Sequence, residues 1–108
     1  MSLELFRFAN LSAVEGISHA VSTRLGGVSR GRCASLNVSH SVGDDTANVE
    51  ENLRRLAAAV GTERERFFSP YQVHGRAVVV VDATTAPRPK ADVLVTRSSD
   101  RTLLLRYA

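Results

Sequence analysis

His74 is the residue of this 108-residue sequence that is best placed to do chemistry. It follows Tyr71-Gln72-Val73, which we interpret as the end of a strand, and it precedes Gly75, where the backbone is expected to turn. A side chain at such a point projects from a rigid element, and a neutral imidazole is the commonest metal ligand in proteins. A catalytic zinc needs about three protein ligands, and no HxH, HExxH or CxxC pattern accompanies His74. By spacing alone, His74 is therefore a candidate without partners.

Thr23 and Arg24 stand beside the glycine-rich segment Gly26–Gly31. An arginine next to a hydroxyl group can hold an anion by charge-assisted hydrogen bonds. The segment is not a Walker phosphate loop, because no Gly-Lys-Ser/Thr follows, and it is not a dinucleotide fingerprint, because no helix follows. A solvated arginine in a mobile surface loop explains the same residues, so the two interpretations stay open at this point.

The other titratable and nucleophilic residues are interpreted as structural. His19 and His40 each fall on the apolar face of a predicted strand, which favours a buried structural histidine. Asp82 and Asp92 flank a proline-containing loop and are candidates for a site, although aspartates at strand ends are common. Cys33 is the only cysteine, which excludes an internal disulfide and any zinc site built on two or four cysteines.

The hydrophobic pattern predicts the elements that must position these residues: an α+β fold with mixed β-sheets and one main helix at about 46–60. The apolar stripe of the helix comprises Val49, Leu53, Leu56, Ala57 and Val60. Asp44 or Asp45 is expected to cap its start and Gly61 to end it. Strands are predicted at 3–8, 17–23, 35–42, 67–73, 77–81, 91–96 and 102–107. The strand at 77–81 is apolar on both faces, which predicts that both faces are covered.

Composition and charge exclude several classes of protein. Apolar residues make up 44% and charged residues 23%, which argues against wholesale disorder. No apolar run approaches the roughly 20 residues of a membrane-spanning helix, and no signal peptide is evident, so we expect a cytoplasmic protein. The net charge of +3 is spread along the chain, whereas a nucleic-acid binder usually clusters its positive charge.

Five stretches in this order resemble a known family. They are 22–29, 34–38, 42–45 with 49–56, 72–75 with 78–82, and 91–96. Together they resemble the laccase-domain, or YfiH-like, family of bacterial purine nucleoside phosphorylases, and the resemblance runs from about residue 17 to the last residue. It implies a cytoplasmic, single-domain α+β protein.

The resemblance also implies an activity and a set of site residues. Family members are described as zinc-dependent enzymes that split purine nucleosides with phosphate, deaminate adenosine and cleave methylthioadenosine; an older copper-oxidase assignment explains the laccase name. His74 matches the first ligand of the family's His, Cys and His metal site, so it is the expected catalytic residue and metal ligand. Thr23 and Arg24 match a Ser/Thr-Arg pair beside the substrate pocket. With Asn37 and Gln72 they are the expected substrate-binding residues, and the expected partners are a purine nucleoside and phosphate, with no nucleic acid and no membrane.

The sequence departs from the family pattern in one respect. The family's Cys and second His have no counterpart up to Ala108, so residues 1–108 are expected to be the N-terminal part of a single domain and to be inactive alone. An alternative is a non-catalytic module that binds a nucleotide or a protein through the Arg24–Arg32 loop and an open sheet edge. The same edge is expected to support homo-oligomers.

Overall fold

The computed structural model describes residues 3–106, which belong to two compact units, Met1–Arg64 and Glu65–Ala108. The first unit holds β1 (Leu5–Phe6), α1 (Ala9–Ser12), β2 (Val21–Ser22), a 3₁₀ turn (Gly31–Cys33) and α2 (Thr46–Val60). After a 3₁₀ turn at Arg64–Arg66, the second unit holds β3 (Phe67–Phe68), β4 (Val78–Val81), β5 (Val93–Thr96) and β6 (Thr102–Leu103). Strands β1 and β2 pair antiparallel, whereas β3–β6 and β4–β5 pair parallel, so the predicted α+β class with mixed pairing is confirmed. No helix in the described residues is long and apolar enough to cross a membrane.

Helix α2 organises the first unit and has the bounds that its period predicts. Asp45 is the N-cap, because its carboxylate accepts the Ala47 N–H at 2.9 Å. Gly61 ends the helix in the left-handed conformation, with φ 82°, which glycine adopts without a steric penalty. The residues that α2 buries are Val49, Asn52, Leu53, Leu56 and Ala57. Four of the five residues of the predicted apolar stripe are therefore buried, whereas Val60 is half-buried. The buried face also contains one polar residue, Asn52, that the periodicity did not single out.

Glu51, on the outer side of α2, makes the stability of the protein depend on pH. Its carboxylate accepts hydrogen bonds from Arg54 at 2.7 Å and from Arg55 at 2.8 Å, which lower the pKa of Glu51 from 4.5 to about 2. A carboxyl with a lowered pKa stabilises the folded state above its unfolded pKa, and that contribution is lost as the pH falls through the folded pKa. We expect Glu51→Gln to lower the Tm modestly at pH 7, because partly exposed ion pairs stabilise little. The difference from wild type should shrink between pH 4.5 and about 2 in calorimetry; a difference independent of pH would contradict this account.

The second unit is built on two parallel strand pairs. β4 and β5 pair in register from Val78 with Val93 to Val81 with Thr96, and the Thr96 hydroxyl also donates to the Val81 carbonyl at 2.9 Å. Phe67 and Phe68 of β3 pair with β6 in the same way. Phe68, Pro70, Val81 and Ala91 are buried. The ends of these strands set the position of the loop that carries His74.

The prediction of a strand at 35–42 is wrong, because the structure has no strand there. Asn37 explains the difference, since its side-chain oxygen accepts the Ser39 N–H at 3.1 Å and its amide donates to the Ser39 carbonyl at 3.1 Å. Ser39 and Ser41 then share a hydroxyl contact at 2.9 Å. Local bonds between side chain and backbone compete with a strand ladder, and here they replace it with turns.

Other strands exist but are shorter or less covered than predicted. The segments at 3–8, 17–23 and 67–73 shrink to two-residue strands, and Pro70 has no N–H with which to extend β3. The end of the strand predicted at 102–107 includes Tyr107, which lies outside the described residues. Within the described residues Val78 and Val80 of β4 are 59% and 63% exposed. The expectation that both faces of this strand are covered is therefore wrong for the residues described.

Candidate functional site

His74 lies on the loop that leads into β4, in the second unit. Its backbone is left-handed, with φ 59°, a conformation that residues other than glycine adopt rarely. His74 is exposed, and Gln72, two residues earlier on the same loop, is half-buried. The structure thus places these two predicted site residues on one loop and presents the imidazole to solvent.

The Asp92 carboxylate holds this loop in shape. One oxygen accepts the N–H groups of Val73 and His74 at 3.0 and 2.8 Å, and the other accepts those of Gly75 and Ala77 at 2.9 and 3.3 Å. Desolvation acts to raise the pKa of Asp92, but the hydrogen bonds from these backbone groups outweigh it and leave the pKa below its usual value. The sequence marked Asp92 as a candidate but gave no sign that it binds the loop of His74, because the two residues are 18 positions apart.

Arg24, in the first unit, has a hydrogen-bonded backbone carbonyl and a side chain that pairs with no other described residue. Its carbonyl accepts the N–H groups of Ser35 and Leu36, both at 2.8 Å, and the Ser35 hydroxyl at 3.0 Å. Arg24 is exposed, and its guanidinium has no hydrogen-bond or ion-pair partner among residues 3–106. The Thr23 hydroxyl beside it accepts the Leu25 N–H at 3.2 Å and keeps its own proton for donation. Such an arrangement can bind an anion without first breaking an internal ion pair.

The glycine-rich segment after Arg24 is held in place, so its interpretation as a mobile surface loop is wrong for residues 26–29. Gly26 and Ser29 are buried. A Cβ atom on Gly27 would clash with the Ser35 carbonyl oxygen, which only glycine avoids. The Val28 N–H donates to the Asn52 side chain at 2.8 Å. Helix α2 therefore fixes the segment that follows Arg24.

Asn52 is the centre of this attachment and is fully buried. Its amide donates to the Ser29 hydroxyl at 2.9 Å and to the Asn37 carbonyl at 2.8 Å. Ser29 and Asn37 both donate to Asp44, and these hydrogen bonds, Ser29 first, lower the pKa of Asp44. The Asn37 side chain is thus engaged within the chain, and its role in binding substrate stays a prediction.

Replacing Asn52 should destabilise the first unit strongly. Asn52→Ala removes a fully buried side chain and leaves the half-buried Val28 N–H and Asn37 carbonyl without their side-chain partner. We expect a loss of about 2–4 kcal/mol in the free energy of unfolding, measured by denaturant titration. Asn48→Ala, on the same helix at a half-buried position, is the matched control and should change stability far less. Equal losses in the two variants would show that the hydrogen bonds of Asn52 contribute little.

The described residues do not form a whole zinc or copper site. Among residues 3–106, no three His, Cys, Asp or Glu residues are grouped so that they can hold a metal ion. The His19 ring accepts the Phe8 N–H at 2.7 Å, and His40 contacts Glu50 at 2.7 Å. His40 is exposed, so the expectation that it is a buried histidine is wrong. Cys33 is a half-buried free thiol. His74 therefore remains as a single candidate metal ligand among the described residues.

Comparison with known proteins shows which family the chain is similar to. Residues 18–108 match the family described as multi-copper polyphenol oxidoreductase laccase, and this range includes both Arg24 and His74. The chain is 44% identical over 94 residues to a purine nucleoside phosphorylase of Deinococcus radiodurans, covering 87% of this chain and 34% of the relative.

Two solved structures are similar in fold. YlmD from Geobacillus stearothermophilus is 33% identical with a TM-score of 0.69, covering 78% of this chain and 34% of the YlmD chain. The hypothetical protein YfiH from Bacillus licheniformis has a TM-score of 0.71 at 22% identity, with 78% and 35% coverage, and supports the fold alone. The chain spans about a third of the length of the Deinococcus radiodurans and Streptomyces griseus relatives and about a quarter of that of the mycobacterial ones.

Proposed function

The chain belongs to the multi-copper polyphenol oxidoreductase laccase family, and from this premise we propose that it provides the N-terminal part of a single-domain purine nucleoside phosphorylase. The observation that carries the proposal is the match over residues 18–108, which includes both the exposed Arg24 and the loop of His74. The name of the Deinococcus radiodurans relative supplies the activity. Purine nucleosides and phosphate are the proposed substrates, in a cytoplasmic enzyme.

The proposed reaction makes one bond and breaks one. A phosphate oxygen bonds to C1′ of the ribose while the bond from C1′ to the purine nitrogen breaks, and the purine leaves with the electron pair and takes up a proton. Phosphate must be held and aligned for this attack, and a guanidinium does so with two parallel hydrogen bonds. Arg24 is proposed to supply that contact, with Thr23 donating its hydroxyl proton nearby. Asn37 and Gln72 are proposed to contact the nucleoside.

His74 is proposed to serve as a catalytic residue and as one ligand of a metal site whose other ligands lie outside residues 1–108. Zinc is the proposed metal; the family description refers to copper. Because the described residues do not complete a site, no step of the reaction is assigned to the metal here. Adenosine deamination and methylthioadenosine cleavage belong to the same proposal as further activities of the complete site.

A chimera tests the proposal. The stretch of this chain that matches the Deinococcus radiodurans relative replaces its counterpart there, and the purified protein is assayed with inosine and phosphate for release of hypoxanthine. The intact relative is the positive control, and circular dichroism and size-exclusion chromatography report whether the chimera is folded. Activity within about tenfold of the relative is expected, since the chain and the relative are 44% identical where they match. A folded but inactive chimera would favour the alternative, a non-catalytic binding module.

The 108-residue chain alone should be inactive and self-associated. It should bind no stoichiometric zinc, because a single histidine holds zinc weakly. The exposed valines of β4 and β5 form an apolar face beside open strand edges, which should drive homo-oligomers. Light scattering should give a dimer or larger. Val80→Lys should shift it towards the monomer, whereas Ala59→Lys, at an exposed position of α2, should not. A monomeric, zinc-loaded, active chain would contradict this proposal.

A further inference from the structure

We propose that Asp92 is the positioning residue for His74: its carboxylate fixes the conformation in which the loop presents the imidazole. The functional importance of this rests on the role proposed for His74, but the structural claim does not. The proposal stands on the arrangement of two backbone anchors, one carboxylate and one left-handed residue, all within the second unit.

The ends of the loop are anchored to the segment that carries Asp92. The Ala91 N–H donates to the Tyr71 carbonyl at 3.1 Å, and the Asp92 N–H donates to the Ala77 carbonyl at 2.9 Å. Ala91 is fully buried, and β5 begins at Val93 in register with β4. The backbone on both sides of Asp92 is therefore held rigidly, and the residues between Tyr71 and Ala77 must pass around its side chain.

The carboxylate occupies the inside of that loop and satisfies its backbone. Four N–H groups, those of Val73, His74, Gly75 and Ala77, point at its two oxygens. Such inward-pointing N–H groups would otherwise depend on water, and hydrogen bonds to a charged acceptor are stronger than those to a neutral one. The left-handed φ of 59° at His74 lies in the middle of this set. A residue other than glycine keeps such a conformation only where its surroundings impose it, and the surroundings here are Asp92.

Chemistry explains why the residue has to be an aspartate. Asparagine has the same shape but only one acceptor oxygen, so its NH₂ group would face two backbone N–H groups, donor against donor. Asp92→Asn should therefore release half of the loop while leaving the packing of Ala91 and β5 intact. Glutamate is one methylene longer and should not restore the fit.

Gly75 contributes less to the loop than its neighbours suggest. A Cβ atom on Gly75 would lie 3.5 Å from the Asp92 carboxylate, an ordinary van der Waals distance, and the φ of Gly75 is outside the left-handed range. Gly75→Ala should therefore leave the loop unchanged, which makes it a control for substitution within the loop itself.

NMR of the ¹⁵N-labelled 108-residue chain tests the proposal. In the wild type, His74 should show the strong intraresidue NOE between its amide and Hα protons that a positive φ produces, and the four bonded amides should exchange slowly. In Asp92→Asn, this NOE should weaken, the His74 ring signals should move, and the two amides that face the new NH₂ group should exchange at least about tenfold faster. The paired amides of β4 and β5, in the same unit, should not change, which separates loss of the loop from loss of the fold.

Asp82→Asn is the matched control at the end of β4. Asp82 caps its own turn through the Thr84 N–H at 2.8 Å, so its replacement should leave the His74 signals in place. If Asp92→Asn keeps the His74 NOE and the slow exchange, the proposal is wrong, whatever the activity of the chimera. If Asp92→Asn fails to fold, Asp92→Glu, which keeps the charge but is one methylene longer, should also weaken the His74 NOE and speed exchange of the bonded amides; unchanged signals would overturn the proposal.

The chimera separates this inference from the proposed function. If His74 is catalytic, Asp92→Asn should lower kcat with little change in the KM for phosphate, and it should have no further effect once His74 is replaced, because a positioning residue acts only through its target. An additional loss in the double variant would show a role independent of His74 and contradict the positioning claim. An inactive wild-type chimera would refute the proposed function, and the NMR result would still decide the inference.

Discussion

Replacing His74 with asparagine in the chimera should lower kcat for inosine phosphorolysis by about 100-fold or more. Asparagine tolerates the left-handed backbone better than most residues, so His74→Asn should keep the φ of 59° and the contacts with Asp92 while removing the imidazole. The loss then reports on the side chain and not on the loop. Zinc content, measured by elemental analysis of the same protein, should fall together with activity.

His40→Asn is the matched histidine control. His40 is exposed and contacts Glu50 on α2, so its replacement should leave kcat and zinc content unchanged. Stoichiometric zinc and full activity in His74→Asn would refute both roles proposed for His74. Loss of activity with zinc retained would remove the ligand role and keep the catalytic one.

Replacing Arg24 with alanine should raise the KM for phosphate, or lower turnover, by about 100-fold, which corresponds to losing charge-assisted hydrogen bonds of about 3 kcal/mol. The fold should be unaffected, because the carbonyl of Arg24, and not its guanidinium, holds Ser35 and Leu36. Arg24→Lys keeps the charge but loses the two-pronged geometry, so it should restore only part of the activity.

Arg30→Ala tests whether the effect belongs to Arg24 or to the positive charge of the segment. Arg30 is also exposed and lies six positions further along. If phosphate attraction is merely a matter of net charge, Arg30→Ala should match Arg24→Ala, and the effect should vanish at high salt. Wild-type kinetics in Arg24→Ala would return Arg24 to the role of a solvated loop residue.

The sequence predicted those parts of the fold that depend on local chemistry. Helix α2 begins after Asp45 and ends at Gly61 because capping and the left-handed glycine are set by neighbouring residues. The strand predicted at 35–42 failed for a reason that is also local: alternation suggested a strand, but Asn37 can satisfy the Ser39 backbone from its own side chain. Alternating apolar and polar residues therefore mislead where asparagine and serine occupy the polar positions.

The features that the sequence could not predict depend on contacts between distant segments. Asn52 lies on the apolar face of α2 but binds Val28, 24 positions away. Asp92 directly precedes β5, and the loop of His74 leads into β4, so the parallel pairing of these two strands brings them together. A polar residue within an apolar stripe was the one available signal for Asn52, and an aspartate at the start of a predicted strand was the signal for Asp92. Neither signal identifies the residues that Asn52 and Asp92 contact, because those contacts form only in the folded chain.

The central claim is that this chain contributes a phosphorolytic site, and the fate of the ribose in the chimera reaction tests it most directly. ³¹P NMR of the chimera with inosine and phosphate should show ribose 1-phosphate in an amount equal to the hypoxanthine released, with no hypoxanthine released when phosphate is omitted. Release of hypoxanthine without phosphate, with free ribose as the product, would show hydrolysis and contradict the claim, as would a folded chimera that releases no hypoxanthine under either condition.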